Sequence, residues 1–456
     1  MNHTEFESLI RNGARGHFVG IGGVSMSALA EVLLEKGITV TGSDVNESDA
    51  VKHLRQIGIA VAIGHDAKNV EGADFLVRTA AARDDNPEVM AAREKGIPVF
   101  ERAEAWGSIM RHYENAICVS GTHGKTTTTS MLTHVFMQAQ ADPTVMIGGT
   151  LPLIRSGHRV GKGQTIIAES CEYYNSFHSF FPTIAIVLNI DADHLDFFKN
   201  LDAIKASFRH FAELVPERGW VIYNADDANT VEAMAGLDRR VMTFGVGENA
   251  QVRAVNVTEK NGRCAFDVLH QGAPYAHVEL SVIGAHNVKN ALATCCAAIA
   301  LGIDGGAVAK GLATFRGAGR RFEYKGTVNG ADVYDDYAHH PSELRATLEA
   351  ARSIGYDRVI VAFQPHTYSR TKALFDEFRQ ELAAADRVLL APIYAAREKN
   401  TIGISSGDLA GAMENAEYYE DFDQIVSQLR QMARPGDIIL TIGAGDIYKV
   451  GDELVK

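Results

Sequence analysis

Residues 120–127 read Ser-Gly-Thr-His-Gly-Lys-Thr-Thr, and those residue types in that order can hold the phosphates of a nucleotide. Gly121 and Gly124 let the backbone turn tightly and aim its N–H groups inward around Thr122 and His123. A helix starting near Lys125 adds its positive dipole end. Lys125 supplies a point charge for the β- and γ-phosphates, and the hydroxyl of Thr126, which is followed by Thr127, can ligate Mg²⁺. Position 119 is Val, so the eight-residue phosphate-loop pattern, with glycine there, is not met. The loop is the shorter variant G-T-H-G-K-T.

Two acceptors for a metal follow downstream. Glu169 ends the run QTIIAE, and His194 follows TIAIVLNIDAD. One carboxylate, one imidazole and one threonine hydroxyl make a set for Mg²⁺, although that ion prefers oxygen. Glu172, Asp191, Asp193 and Asp196 compete for the role on spacing alone. A second glycine cluster, G-I-G-G-V-S, holds Gly20, Gly22 and Gly23, with Ser25 where the dinucleotide fingerprint has its third glycine. Asp44 ends the next apolar run, where an acid often meets a ribose or base. The pattern suits a diphosphate-bearing ligand and serves NAD and a UDP-sugar equally.

Other groups are weaker signals. In GAHNVKN, His286 or Asn290 can meet an adenine edge or cap a helix. GAGRRFEY brings Arg320 and Arg321 together after glycines, where an arginine can stabilise a transferring phosphoryl group. YDDYAHHPSE gathers Asp335, Asp336, His339 and His340 ahead of a helix that Pro341 can open. FQPHTYSRT offers Arg370, a bidentate clamp for a carboxylate. Cys295 and Cys296 lie in an apolar helical run and read as core.

Short apolar runs alternating with helical patterns must position these groups, which predicts α/β layers with mostly parallel sheets. HFVGIGG (17–23) reads as strand and glycine turn, followed by a helix that stops at Gly37 and a strand ending at Asp44. AICVSGTHGKTTTTSMLTHVF (116–136) repeats that order, with QTIIAES and TIAIVLNIDADH as buried parallel strands beside it and hairpins around 250–283. From Gly319 onward, RVIVAFQPH, RVLLAPIY and DIILTIGAGD read as strands of a third sheet. Boundaries near 113 and 319 give three domains, 1–113, 114–318 and 319–456.

Taken in order, HFVGIGGVSMSALA, SGTHGKTTTTSM, AES with NIDADHLD, GAHNVKNALA, RRFE, DDYAHHPSE, FQPHTYSRT and TIGAGDIY resemble the Mur ligases and span nearly the whole chain. The resemblance is strongest to the member that adds L-alanine. It implies three α/β domains: a Rossmann-like one for the UDP moiety, a central phosphate-loop ATPase-type one, and a Rossmann-like C-terminal one that helps bind the amino acid. The implied activity is ATP-dependent ligation of L-alanine to the lactyl carboxylate of UDP-N-acetylmuramate. By motif match Lys125 holds the ATP phosphates, with Gly121, Thr122, His123, Gly124, Thr126, Thr127 and His286 in the same site. Thr126, Glu169 and His194 serve Mg²⁺. Asn290 contacts adenine, Arg321 the γ-phosphate and Asp336 the ribose. Tyr337, His339 and Arg370 lie around the amino acid. Gly20, Gly22, Gly23, Ser25, Met26, Ser27, Asp44 and His65 are implied for the UDP-sugar. Two departures stand out: the family's E-A-D-E-S-D reads E-S-C-E-Y-Y at 169–174, and Thr367 stands where many members have Arg. Lys205 does not match the spacing of the carbamylated lysine that some members carry.

Composition narrows the classes further. A net charge of −13 argues against non-specific binding to nucleic acid or to an anionic membrane. Five cysteines with no C-x-x-C pair suit a reducing compartment. The opening MNHTEFESLIRNG lacks a signal peptide's apolar stretch. A cytoplasmic protein, monomeric or weakly dimeric, acting on small molecules is therefore expected.

Overall fold

The computed structural model describes residues 3–195, 197–396 and 398–456, so Asp196 lies outside the described residues. Among the described residues three sheets carry the strands, and the chain forms two compact units. One comprises Met1–Arg253 with Leu292–Gly311, the other Ala254–Ala291 with Leu312–Lys456.

The first unit opens with β1 (Arg15–Val19), β2 (Thr39–Asp44), β3 (Ala60–Ile63), β4 (Phe75–Arg78) and β5 (Val99–Glu101). They pair in the order β3-β2-β1-β4-β5, all parallel. The order reverses direction at β1, and such a switch point opens a crevice at the carboxyl ends of the strands. The helix Val24–Glu35 follows the first glycine cluster. Gly37 ends it with φ 82°, while Ile38 N–H donates to Leu33 O and Gly37 N–H to Leu34 O. That is the paired closure a left-handed glycine permits, and it realises the stop read at Gly37.

The same unit continues with β6 (Asn115–Ser120), β7 (Thr144–Leu151), β8 (Ser156–Arg159), β9 (Thr165–Glu169), β10 (Ile184–Val187), β11 (Trp220–Asn224) and β12 (Val241–Gly245). Their order is β12-β11-β10-β6-β9-β7-β8, parallel except for the hairpin β7–β8. Phe18, Phe75 and Trp106 of the first sheet's layers and Phe177, Phe208 and Phe211 of the second's belong to one continuous apolar cluster. At roughly 1.5–3 kcal/mol per fully buried large side chain, burial of this kind dominates the unit's stability.

β13 (Val252–Lys260) begins at the first unit's edge. The second unit holds the hairpin β14 (Arg263–His270) with β15 (Ala273–Ile283), which matches the alternation read at 250–283. Its other sheet comprises β16 (Glu323–Val328), β17 (Ala331–Asp336), β18 (Arg358–Phe363), β19 (Arg387–Leu390), β20 (Ala416–Tyr418) and β21 (Asp437–Ile442). The order is β16-β17-β21-β18-β19-β20, parallel apart from β16. Strands β18, β19 and β21 are the three runs read from sequence. Among the described residues no helix is long and apolar enough to cross a membrane.

Candidate functional site

The phosphate loop sits between the end of β6 and the helix Lys125–Gln138. Gly121 has φ 140° and Gly124 φ 85°, backbone states that side chains rarely adopt, so the loop's shape requires glycine at these two positions. The segment after β10 braces the loop. Thr122 N–H donates to Asn189 O at 3.1 Å, and the Asn189 side chain grips His123 through both backbone groups at 2.8 and 3.0 Å. The Thr122 hydroxyl accepts from Asp191 N–H at 2.9 Å. Asn189 was not singled out in the sequence; its position at the end of a buried strand beside the loop strand was the available signal.

Lys125, Thr126 and three acceptors converge here. The Lys125 ammonium lies 3.1 and 3.3 Å from the two oxygens of Glu172 and also donates to the carbonyls of Gly121 and Thr122. Burial works against its charge, but the neighbouring carboxylates of Glu172 and Glu169 more than offset this and raise its pKa. Thr126 donates to Glu169 Oε2 at 2.9 Å, and Gly148 N–H donates to the same oxygen at 2.8 Å. A Cβ at Gly148 would come within 2.5 Å of Glu169, so a bare backbone is needed where that carboxylate docks. His194 stacks on Tyr173 with ring centroids 4.4 Å apart and points Nε2 to 3.8 Å from Glu172. Glu172, only one of several candidates by spacing, therefore links the lysine to the histidine and is almost fully buried. Thr126 and Glu169 offer adjoining hard oxygens of the kind Mg²⁺ prefers, while His194 is placed by its contact with Glu172.

At the first crevice Gly20 has φ 77°, and its N–H, like that of Ile21, donates to Ser43 O. Gly22 N–H donates to Asp44 Oδ2 at 2.9 Å. The Ser25 hydroxyl donates to Met146 Sδ at 3.1 Å and accepts from Trp106 Nε1 at 3.0 Å. Met26 and Ser27 are buried, and both backbone N–H groups donate to Gly23 O. His65, just past β3, contacts Ser43 Oγ at 2.9 Å and Glu88 Oε2 at 3.2 Å.

The second unit gathers the remaining groups. Arg320 is committed to Asp335 at 2.9 Å and to the carbonyls of Gly443 and Gly445. Both guanidinium groups lie over the Tyr337 ring, Arg320 at 4.9 Å and Arg321 at 5.1 Å. Asp336 accepts from Phe322 N–H at 2.7 Å and Ala338 N–H at 2.8 Å. Burial pushes its pKa up to about 6 against the opposing pull of Arg321. His340 caps the helix Pro341–Ile354 with Glu343 in a reciprocal box, so that histidine is accounted for structurally. His339 packs edge-on against Tyr337 and His366 at 5.5 and 5.7 Å. Arg370 Nη1 lies 3.0 Å from His366 Nδ1, and His366 stacks on Tyr394 at 5.7 Å. His366 and Tyr394 thus join the predicted Tyr337, His339 and Arg370, although the sequence reading passed over both. Asn290 is buried and donates to Asn287 Oδ1 at 3.0 Å, while His286 stands exposed at the start of its helix.

Comparison with known proteins bears on the whole arrangement. Residues 15–114 match the Mur ligase family, catalytic domain; residues 119–298 match the Mur ligase middle domain; residues 320–445 match the Mur ligase, glutamate ligase domain. The UDP-N-acetylmuramate–L-alanine ligase of Caldanaerobacter subterraneus subsp. tengcongensis is 46% identical over 447 residues, 97% of each chain. Among solved structures, the UDP-N-acetylmuramate–alanine ligase of Thermotoga maritima aligns with TM-score 0.81 at 29% identity over 97% of this chain and 98% of its own. A murein peptide ligase of Psychrobacter arcticus aligns over the same shares with TM-score 0.71 and 25% identity. The matches cover the phosphate loop, the glycine crevice and the Tyr337–Arg370 cluster in one colinear chain, and with them this chain belongs to the Mur ligase family.

Proposed function

We propose that this chain joins L-alanine to the lactyl carboxylate of UDP-N-acetylmuramate at the expense of ATP, a step of peptidoglycan precursor synthesis. The observation that carries this reading is 46% identity over 97% of the chain to a relative of that name, together with a phosphate loop built around Lys125.

The chemistry follows from the groups present. Lys125 lies at the mouth of the loop, held charged by Glu172, and can pass its donors from the Gly121 and Thr122 carbonyls to phosphate oxygens. The substrate carboxylate oxygen attacks the γ-phosphorus, the bond to ADP breaks, and an acyl phosphate forms. The amine of L-alanine then attacks the acyl carbon, a proton leaves the nitrogen, and inorganic phosphate departs. Positioning and charge stabilisation supply most of the rate, because the phosphoryl transfer needs no covalent help from the protein. Thr126 and Glu169, with His194, would hold Mg²⁺, which when bound offsets negative charge on the phosphates. Arg321 is the cation that the family motif assigns to the transferring phosphoryl group; its neighbour Arg320 is tied to Asp335. Tyr337, His339 and Arg370 receive the amino acid, the guanidinium facing its carboxylate.

The test is ADP and phosphate release from ATP, Mg²⁺ and UDP-N-acetylmuramate, with L-alanine or the tripeptide L-alanyl-γ-D-glutamyl-meso-diaminopimelate added in parallel. Turnover that requires L-alanine supports the reading. Turnover with the tripeptide alone transfers the chain to the murein peptide ligase branch, and turnover with neither overturns the acceptor assignment.

A further inference from the structure

Beneath the first crevice lies a buried carboxylate that the proposed reaction does not use. Glu88 stands in the first turn of the helix Pro87–Glu94 and is fully buried. Its Oε2 accepts from Ser43 Oγ at 2.5 Å, and its Oε1 accepts from Asn69 Nδ2 at 2.5 Å and from Asp66 N–H at 3.4 Å. His17 Nε2 lies 3.6 Å away. A buried charge persists only when donors surround it, and this one has several.

The hydroxyl of Ser43 has a single hydrogen, and that hydrogen points at Glu88. In the 2.9 Å contact between Ser43 Oγ and His65 Nδ1 the imidazole must therefore be the donor. Glu88 Oε2, 3.2 Å from the same nitrogen, favours that arrangement as well. With the single proton of the uncharged tautomer on Nδ1, Nε2 is bare, and His65 is one-fifth exposed. Its place in the sheet says what Nε2 meets. The glycine cluster ends β1, Asp44 ends β2 and His65 follows β3, so the three lie side by side at the carboxyl edge. In such sheets the diphosphate sits at the first loop and the ribose at the next strand end, which puts His65 at the nucleoside end of the ligand.

We propose that Glu88 is a positioning residue which, through Ser43, fixes the proton of His65 on Nδ1 and so presents Nε2 as an acceptor for a donor group of the uridine, either the uracil N3–H or a ribose hydroxyl. This rests on the reading of the first crevice as the UDP-sugar site.

Glu88→Gln should reverse the direction of the relay. Oε1 of the native residue serves two donors, so the glutamine oxygen is retained there and its amide nitrogen faces Ser43. The serine hydroxyl must then turn its hydrogen toward His65 Nδ1, and the imidazole proton moves to Nε2. A group that accepted becomes a group that donates.

The experiment is nitrogen-15 NMR of histidine-labelled full-length protein, with calorimetric titration of UDP, N3-methyl-UDP and 2′-deoxy-UDP. Ligand-free wild type should show His65 protonated at Nδ1 and bare at Nε2, and E88Q should show the reverse. Wild type should bind one of the two analogues roughly three- to tenfold more weakly than UDP, the size of one hydrogen bond; which analogue identifies the donor. E88Q should bind UDP weakly and lose that discrimination, with affinity for ATP unchanged. A wild-type His65 protonated at Nε2, or equal binding of all three ligands, overturns the proposal. The tautomer is read without ligand, so wild-type protein that fails to bind UDP while keeping Nδ1–H overturns the crevice assignment and the acceptor role but leaves the Glu88 relay standing. Should E88Q not fold, Ser43→Ala breaks the same relay, and an unaltered His65 tautomer there overturns the proposal.

Discussion

The two glycine loops of the first unit share one plan, strand, glycine turn and helix, yet they differ in where their chemistry is stored. Around the loop after β6, the reactive groups lie in the motif or at the ends of neighbouring strands: Lys125 and Thr126 in the helix, Glu169 at the end of β9 and Glu172 just past it. Around the loop after β1, the motif supplies only backbone and small side chains. The loop's own N–H groups go to Ser43 O and Asp44, and the charge is buried one layer down at Glu88. On the proposed function, the loop that handles the reactive phosphoryl group carries its cation with it. The loop proposed only to hold the UDP-sugar has no cation of its own and a carboxylate set one layer down.

The largest break in this comparison is Lys125→Ala. It removes the cation from the second loop and leaves Glu172 buried beside a void. Ligation should fall on the order of 10³-fold in kcat, comparable with loss of a preorganised electrostatic contact at a transition state. UDP-sugar affinity measured by calorimetry should be unchanged. A drop below tenfold would show that the backbone of the loop carries the stabilisation instead.

Glu88 gives the next largest effect, and it belongs to the first loop. Burial alone would raise its pKa, but His17 together with the hydrogen bonds from Ser43 and Asn69 holds it down, at about 2 against the ordinary 4.5. The folded pKa is depressed, so its stabilisation is fully present above pH 4.5 and is lost as the pH falls from 4.5 through 2. The difference corresponds to about 3 kcal/mol at neutral pH. Urea midpoints of the wild type should decline steeply across that window, while Glu88→Gln should start lower at neutral pH and decline less. Parallel curves for the two proteins would mean that other carboxylates govern acid unfolding.

The contrast also explains what could be read from sequence. The sheets, the helix stop at Gly37 and the phosphate loop were legible, because apolar runs of strand length and glycine punctuation are local signals. Lys125, Thr126 and Glu169 stand in or beside those local signals, and the structure brings the three together. Arg321 could not be separated from Arg320 by type, since the salt bridge to Asp335 that occupies Arg320 depends on how β17 packs. Asn189, Glu172, His366 and Tyr394 acquire their partners only when strands distant in sequence are brought side by side. Glu88 lay furthest from view: an acid in the first turn of a helix reads as an ordinary dipole partner, and nothing local announces Ser43 and His65, 45 and 23 residues away.

Matched substitutions in the loops' glycines sharpen the comparison at smaller scale. Gly121 combines φ 140° with a Cβ position 2.9 Å from the Leu188 side chain and 3.2 Å from its backbone nitrogen, so alanine meets both strain and an obstacle that cannot rotate away. About 2 kcal/mol of strain is expected, with a clear rise in KM for ATP and little change for the UDP-sugar. Gly22 has no such strain. Its Cβ would come within 2.9 Å of Asp44 Oδ2, the end of a side chain that can give way, and of Val51 Cγ2 in the core, which must shift slightly. Gly22→Ala should therefore cost only about 1 kcal/mol, seen as a several-fold rise in KM for the UDP-sugar with kcat and KM for ATP held. The rise traces to Asp44, whose carboxylate would have to leave the Gly22 N–H at 2.9 Å to make room. If Gly22→Ala instead weakened ATP binding as much as Gly121→Ala does, the two loops would not be separate sites, and the division of labour between them would fail.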